Sequence, residues 1–237
     1  IDDSVTGGIK LEFGSAEALC QIAELTGKGE GFGADIAMGS KRLCEKYGHP
    51  DLSMTVKGQE FAAYDGRSMQ AMGLAYATSN RGACHVRGYM VSPEILGLPE
   101  KLDPAVTEGK AGWLKIFQDF TAVVDSAGVC LFTTFGIGVP QFTKFCNAAN
   151  GTNMSDEELL EAGDRIYNLE RVFNLKAGID PSQDKLPKRM IEEPLPDGPS
   201  KGEVCKLDQM LPDYYQVRGW GSDGIPTEEK LQSLGLA

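Results

Sequence analysis

Two short stretches hold side chains whose types and spacing suit chemistry. Asp125-Ser126-Ala127-Gly128-Val129-Cys130 sets a carboxylate, a glycine and a thiol at i, i+3 and i+5. A carboxylate accepts hydrogen bonds from ring N–H groups of a heterocycle. Glycine lets the backbone approach a flat ligand closely, and a thiolate ligates iron or another soft metal. The structural alternative is a helix C-terminus with a glycine stop and a buried cysteine. The second stretch is Asn80-Arg81-Gly82-Ala83-Cys84-His85-Val86-Arg87-Gly88, with one of the chain's two histidines. Histidine titrates near neutrality, so His85 can act as a proton donor; the alternative is a structural imidazole satisfied by hydrogen bonds. Arg81 and Arg87 add fixed positive charge suited to an anionic ligand. His49, before Pro50, lacks such company and reads as surface.

Other signals argue against familiar sites. Gly27, Gly29, Gly31 and Gly33 alternate along a loop that could cradle phosphate. The dinucleotide fingerprint needs a strand before such a loop, and here a helical pattern precedes it. The Walker Lys-Ser/Thr pair is also absent, so a helix-to-helix turn is expected. The cysteines at 20, 44, 84, 130, 146 and 205 contain no C-x-x-C pair. A self-contained zinc ribbon or ferredoxin-type cluster is therefore not expected, and a metal ligand here needs partners from elsewhere. Most of the six read as reduced core thiols.

The elements that must position these stretches are helical. Ser15 can cap a helix with Leu19, Ile22 and Leu25 on its apolar side. A second helix is expected from about residue 34 to 47, and another over 68–77. Trp113, Ile116, Phe117, Phe120 and Val124 form an amphipathic face ending at Asp125. Ser155 to Glu158 is a capping box opening a long helix, with Leu159, Ile166, Leu169 and Phe173 apolar and Gly178 as its stop. A short last helix starts at Thr227. Only residues 52–56 invite a strand. Residues 180–212 hold six of the twelve prolines and are expected to be extended and irregular, wrapped over a surface. The fold class is mainly α.

Composition narrows the partners. With 41% apolar and 24% charged residues, the chain reads as an ordinary globular protein. Its formal charge of −11 disfavours nucleic acid and anionic membranes. No apolar run approaches the roughly 18 residues of a membrane span, and no signal peptide opens the chain. It begins at Ile1 without an initiator methionine, which reads as part of a longer protein.

Four stretches, in order, resemble the aldehyde ferredoxin oxidoreductase family. Val56-Lys57-Gly58-Gln59-Glu60 with Tyr64-Asp65-Gly66-Arg67 is similar to its V-K-G-Q-E…Y-D-P-R segment. Gly66 replaces the usual proline, so a looser turn is expected there. Gly73 to His85 is similar to G-Y-A-T-S-N-R-G-x-C-H, and Asp125 to Cys130 matches D-x-x-G-x-C. The tail, with Arg218-Gly219-Trp220 and Gly224 to Leu231, resembles the family's terminal segment.

The resemblance implies a multihelical C-terminal domain of that type with a long irregular Pro-rich segment. Residues 1–50 would be the end of the helical middle domain and 51–237 the helical C-terminal domain, with the N-terminal pterin-binding domain outside the chain. It implies a tungsten enzyme, sometimes a molybdenum one, that oxidises small aldehydes to carboxylic acids. Its cofactors would be a bis-pterin tungstopterin and a 4Fe-4S cluster. His85 falls at the active-site histidine; Arg87, Asp125, Gly128 and Val129 fall at pterin contacts; Cys130 falls at the fourth cluster ligand. The other three cysteines belong to a C-x-x-C-x-x-x-C motif that this stretch lacks. The chain alone is thus expected to be inactive and to retain no cofactor. Partners would be ferredoxin or an electron-transfer subunit, the missing domains, and in some members a second copy as a homodimer; the location would be cytoplasmic. The alternatives are a relative with other tungsten chemistry, such as aromatic acyl-thioester reduction, or a non-catalytic helical scaffold.

Overall fold

A computed structural model describes residues 2–237, and the chain divides into two compact units, one up to Thr55 and one from Val56 to Ala237. The first unit is small. Its helix α1 (Ala16–Lys28) starts where Ser15 Oγ accepts from the backbone N–H of Ala18, and it ends at Gly29 in the left-handed conformation. Helices α2 (Gly31–Ile36) and α3 (Ser40–Lys46) follow. The single helix expected over 34–47 is therefore two, because Gly39 takes φ +84° between them. The turn between helices is shorter than expected: Gly27 lies in α1 and Gly31 and Gly33 in α2, leaving Gly29 and Glu30 between them, and a side chain at Gly33 would collide with the backbone of Leu25. That close approach packs α2 on α1.

The second unit opens near a two-stranded hairpin, β1 (Thr55–Val56) and β2 (Gln59–Glu60). Lys57 and Gly58 both have positive φ at its tip, which is the backbone a two-residue hairpin turn needs. Helix α4 (Gln70–Thr78) is buried on every side. Glu94 caps it from across the chain, accepting from the N–H groups of Ala71 and Met72 at 3.0 and 3.1 Å. Gly66 departs from expectation. A Cβ there would sit 2.8 Å from Gly73 Cα on α4, so glycine tightens this turn against the helix.

Around α4 pack α5 (Lys110–Ser126), α7 (Asp156–Lys176) and α9 (Leu207–Arg218), with α6 (Val139–Asn150) against α7. α7 opens with the expected reciprocal box between Ser155 and Glu158. The segment after α7 is largely irregular, with a 3-10 turn at Pro181–Gln183 and a short α8 (Lys188–Glu192), but α9 begins at Leu207, which shortens the irregular stretch expected to run to Pro212. α9 itself was not legible, since Pro212 lies inside it. The last helix, α10 (Glu228–Ser233), is capped by Thr227 as expected. Of the six cysteines only Cys84 and Cys205 are buried, which corrects the expectation that most are core thiols.

The core of this unit is unusually polar. Arg218 is fully buried, with its guanidinium on Asp119, Asp164, Gln118 and the Tyr214 hydroxyl. It lies 4.0 Å over the ring of Tyr167. Arg171 is equally buried and pairs with both oxygens of Asp184, which also receives the Lys57 ammonium at 2.8 Å and the Tyr215 hydroxyl. Paired and hydrogen-bonded charges are the form in which ions are tolerated inside a protein.

Candidate active site

The loop that leaves α4 at Ser79 carries the histidine stretch. Asn80 anchors it: its Nδ2 donates to Tyr167 O at 3.0 Å, and its own carbonyl accepts from Asn174 Nδ2 at 2.7 Å. Gly88 has φ +91°, and a Cβ there would press on Leu114 and Gln118 of α5, so the loop lies flat against that helix. Cys84 is buried, and its sulfur accepts from Arg81 Nη2 at 3.0 Å and from Arg87 N at 3.4 Å. It serves the loop's own structure.

His85 is half-buried against a pair of tyrosines whose own rings lie 5.9 Å apart. Its ring centroid lies 5.6 Å from Tyr64 and 6.2 Å from Tyr89, whose hydroxyls meet at 3.2 Å. Burial, with the Arg81 charge nearby, holds the imidazole below its ordinary pKa of 6.5. The ring is therefore neutral at physiological pH and able to accept a proton. Burial and the Tyr64 hydroxyl push Tyr89 up to about 12, keeping its phenol protonated.

The second stretch sits at the C-terminal end of α5. Asp125 is in its last turn, and Gly128 takes φ +69° just beyond it, letting Val129 N reach back to Val124 O at 3.2 Å. A Cβ on Gly128 would meet nothing within 4 Å, so this turn faces open space. Val129 and Cys130 are exposed. Cys130 then caps the 3-10 turn at Leu131–Phe135 through its carbonyl.

Arg87 joins the two stretches. Its Nε donates to Asp125 Oδ2 at 2.8 Å, across 38 residues, and its Nη1 donates to both oxygens of Glu170 on α7 at 2.7 and 2.8 Å. Glu170 carries no mark in the sequence beyond its place between Leu169 and Phe173, and it was missed. So were Tyr64 and Tyr89. Two carboxylates hold the Arg87 charge, so it is not a free anion receptor; Arg81 is the exposed cation of the loop.

The donor set fits one edge of a larger cofactor site. Among the described residues, no group of three or more His, Cys, Asp or Glu side chains could hold a metal ion. One exposed thiol, a carboxylate and an open glycine turn lie together at the surface beside a half-buried imidazole. The class this defines is a multihelical domain that brings a histidine loop and an open Asp-Gly-Cys turn together at its surface.

Residues 1–236 match the family described as aldehyde ferredoxin oxidoreductase, domains 2 and 3, and the chain belongs to that family. It is 52% identical over its full length to the tungsten-containing aldehyde ferredoxin oxidoreductase of Pyrococcus furiosus, and 48% identical to that of Thermococcus kodakarensis. In each case it spans 39% of the relative's length. An aliphatic sulfonate oxidoreductase, WOR-like subunit, of P. furiosus is 30% identical over 97% of the chain and 36% of that protein. The fold is shared with the active-site complex BamBC of benzoyl coenzyme A reductase in complex with 1,5-dienoyl-CoA. That likeness has a TM-score of 0.73 at 18% identity, and covers all of this chain and 41% of the other. Among the described residues, no helix is long and apolar enough to cross a membrane.

Proposed function

We propose that the chain forms one wall of the active site of a tungsten-dependent oxidoreductase. That enzyme would convert aldehydes to carboxylic acids and deliver the electrons to ferredoxin or an electron-transfer subunit. The observation that carries this reading is the Arg87 bridge, which gathers the histidine loop and the Asp125–Cys130 turn into one place. The relatives at 52% and 48% identity support aldehyde chemistry over that of the sulfonate oxidoreductase subunit at 30%.

In this reading Asp125, Arg87 and the backbone at Gly128 and Val129 hold the pterin, and Cys130 is the fourth ligand of a 4Fe-4S cluster whose other ligands lie outside the chain. When bound, the tungstopterin and the cluster take up and pass on the two electrons of the oxidation. His85 works on the protons. Aldehyde plus water gives carboxylic acid, two electrons and two protons, and a neutral imidazole is the right form to accept one proton and pass it on. Tyr64 and Tyr89 fix the plane of that ring and shield it from solvent. The unit up to Thr55 would be the end of the middle domain, and the reaction would be cytoplasmic.

The test uses the complete enzyme. Cys130→Ala should lower cluster iron; unchanged iron content would remove the ligand assignment. His85→Ala should cut turnover by about 10²–10⁴-fold with tungsten content unchanged, and wild-type turnover would remove the proton-transfer role.

A further inference from the structure

The loop from Thr78 to Arg87 is fastened to one face of α7. Tyr167, Glu170 and Asn174 stand at i, i+3 and i+7 on that helix and so share a face. The Tyr167 hydroxyl donates to Thr78 O at 3.0 Å, Asn80 Nδ2 donates to Tyr167 O at 3.0 Å, and Asn174 Nδ2 donates to Asn80 O at 2.7 Å. These neutral bonds hold the loop without Glu170. The Glu170 carboxylate serves Arg87 instead. Both its oxygens accept from Arg87 Nη1, at 2.7 and 2.8 Å, and Oε2 also receives Asn80 Nδ2 at 3.4 Å.

Arg87 could meet Asp125 in two ways. A guanidinium offers Nε–H and one N–H of Nη2 as a parallel fork that matches both oxygens of a carboxylate. Here only Nε is used, donating to Asp125 Oδ2 at 2.8 Å, and among the described residues Nη2 has no hydrogen-bond partner. Asp125 is exposed, and among the described residues its Oδ1 likewise accepts from no donor. A fork that stays half-closed on an adjacent carboxylate is held by a third group, and Glu170 is the group on the other end of the guanidinium. Burial disfavours the Arg87 charge, but Glu170, and after it Asp125, outweigh that and hold the guanidinium above its ordinary pKa. One cation faces two carboxylates, so one negative charge is left over once Arg87 is paired.

We propose that Glu170 is a positioning residue: it holds Arg87 back from a two-bond pair with Asp125 and so leaves one Asp125 oxygen free to accept from a ring N–H of the pterin. The proposal rests on the reading of Arg87 and Asp125 as pterin contacts and deepens it. Without Glu170 the Arg87 fork closes on both Asp125 oxygens, and the pterin must displace a charge-assisted bond to reach the carboxylate. A hydrogen bond to a charged group is worth about ten- to a hundredfold in an equilibrium constant.

In the complete enzyme, Glu170→Ala should lose pterin and tungsten on dialysis about tenfold faster than wild type. Glu170→Gln keeps one acceptor for Arg87 Nη1 and should fall between the two. An Arg87→Met background separates positioning from general loosening of the fold. There Glu170→Ala should add nothing; losses that simply add in the double variant would overturn the proposal, as would wild-type retention in Glu170→Ala. A crystal structure of Glu170→Ala reads the contact independently of retention. Arg87 Nε and Nη2 should both lie within hydrogen-bond reach of Asp125, and an unmoved Arg87 would overturn the proposal. If Arg87→Met and Asp125→Asn both retain pterin as wild type does, the reading of these residues as pterin contacts fails. A shifted Arg87 in the Glu170→Ala structure would then still support Glu170 as the residue that holds it off Asp125, and an unshifted one would reject that as well.

Discussion

The centre of the second unit sets buried ion networks into an apolar core, whereas the wall that carries His85 and Cys130 leaves apolar side chains exposed. Inside, α5, α7 and α9 bury arginines and aspartates: Arg218 on Asp119 and Asp164, and Arg171 on Asp184. Outside, the same helices show apolar side chains, with Leu169 and Phe173 exposed beside Glu170 and with Phe132 next to the Cys130 turn. The lesson concerns what helical periodicity means. The regular apolar stripes of α5 and α7 lead partly to a cavity and to an open face. The buried faces hold Gln118, Asp119, Asp164, Asn168 and Arg171 alongside Leu114, Val124, Leu159 and Tyr167. A charge is buried here only where its partner is buried with it, and α5 approaches α7 closely enough that a side chain at Gly163 would strike the backbone of Asp119.

The largest effect should come from breaking the inner network. Arg218→Ala leaves Asp119 and Asp164 buried without their cation. It should lower stability by about 3–5 kcal/mol, read as a fall in the denaturation midpoint; a shift under about 1 kcal/mol would mean that these carboxylates are not isolated from water. A smaller and pH-dependent effect should follow from the edge of the same network. Burial alone would raise the Asp164 carboxyl, but Arg218, Lys230 and Lys115 outweigh it and hold it below its ordinary value of 3.8. A carboxylate depressed in the folded state contributes stability above its unfolded pKa and loses it as pH falls through the folded one. Lys230→Met should therefore move acid unfolding, followed by circular dichroism, to higher pH. No movement would show that Arg218 and Lys115 suffice.

The smallest effect sharpens the contrast from outside. Phe173→Ser on the exposed face of α7 should change the stability of the chain by no more than about 0.5 kcal/mol. A loss typical of a core phenylalanine would show that the face is covered within the chain itself.

Legibility followed the range of the interactions. The Ser15, Ser155 and Thr227 caps, the break at Gly29 and the stop at Gly128 could all be seen, because each depends on residues a few positions apart. α9 could not, because Pro212 breaks the local rule and long-range packing overrides it. In the site, Asp125, Gly128 and Cys130 were visible as one short motif, and His85 with Arg87 as another. Glu170 and Tyr64 were not, since they reach the site from other elements; Tyr89, four residues after His85 in the same loop, had no motif to mark it.

The sequence alone determined the helical class, the helix ends and the two chemical stretches, because capping, periodicity and motif spacing are local. Tertiary structure decided that Arg87 spans the two stretches and which faces of α5 and α7 are buried. Those outcomes depend on pairing and desolvation between residues 38 to 100 positions apart, as in Arg87 with Asp125 and Arg218 with Gln118, and only the packed chain brings such groups within reach.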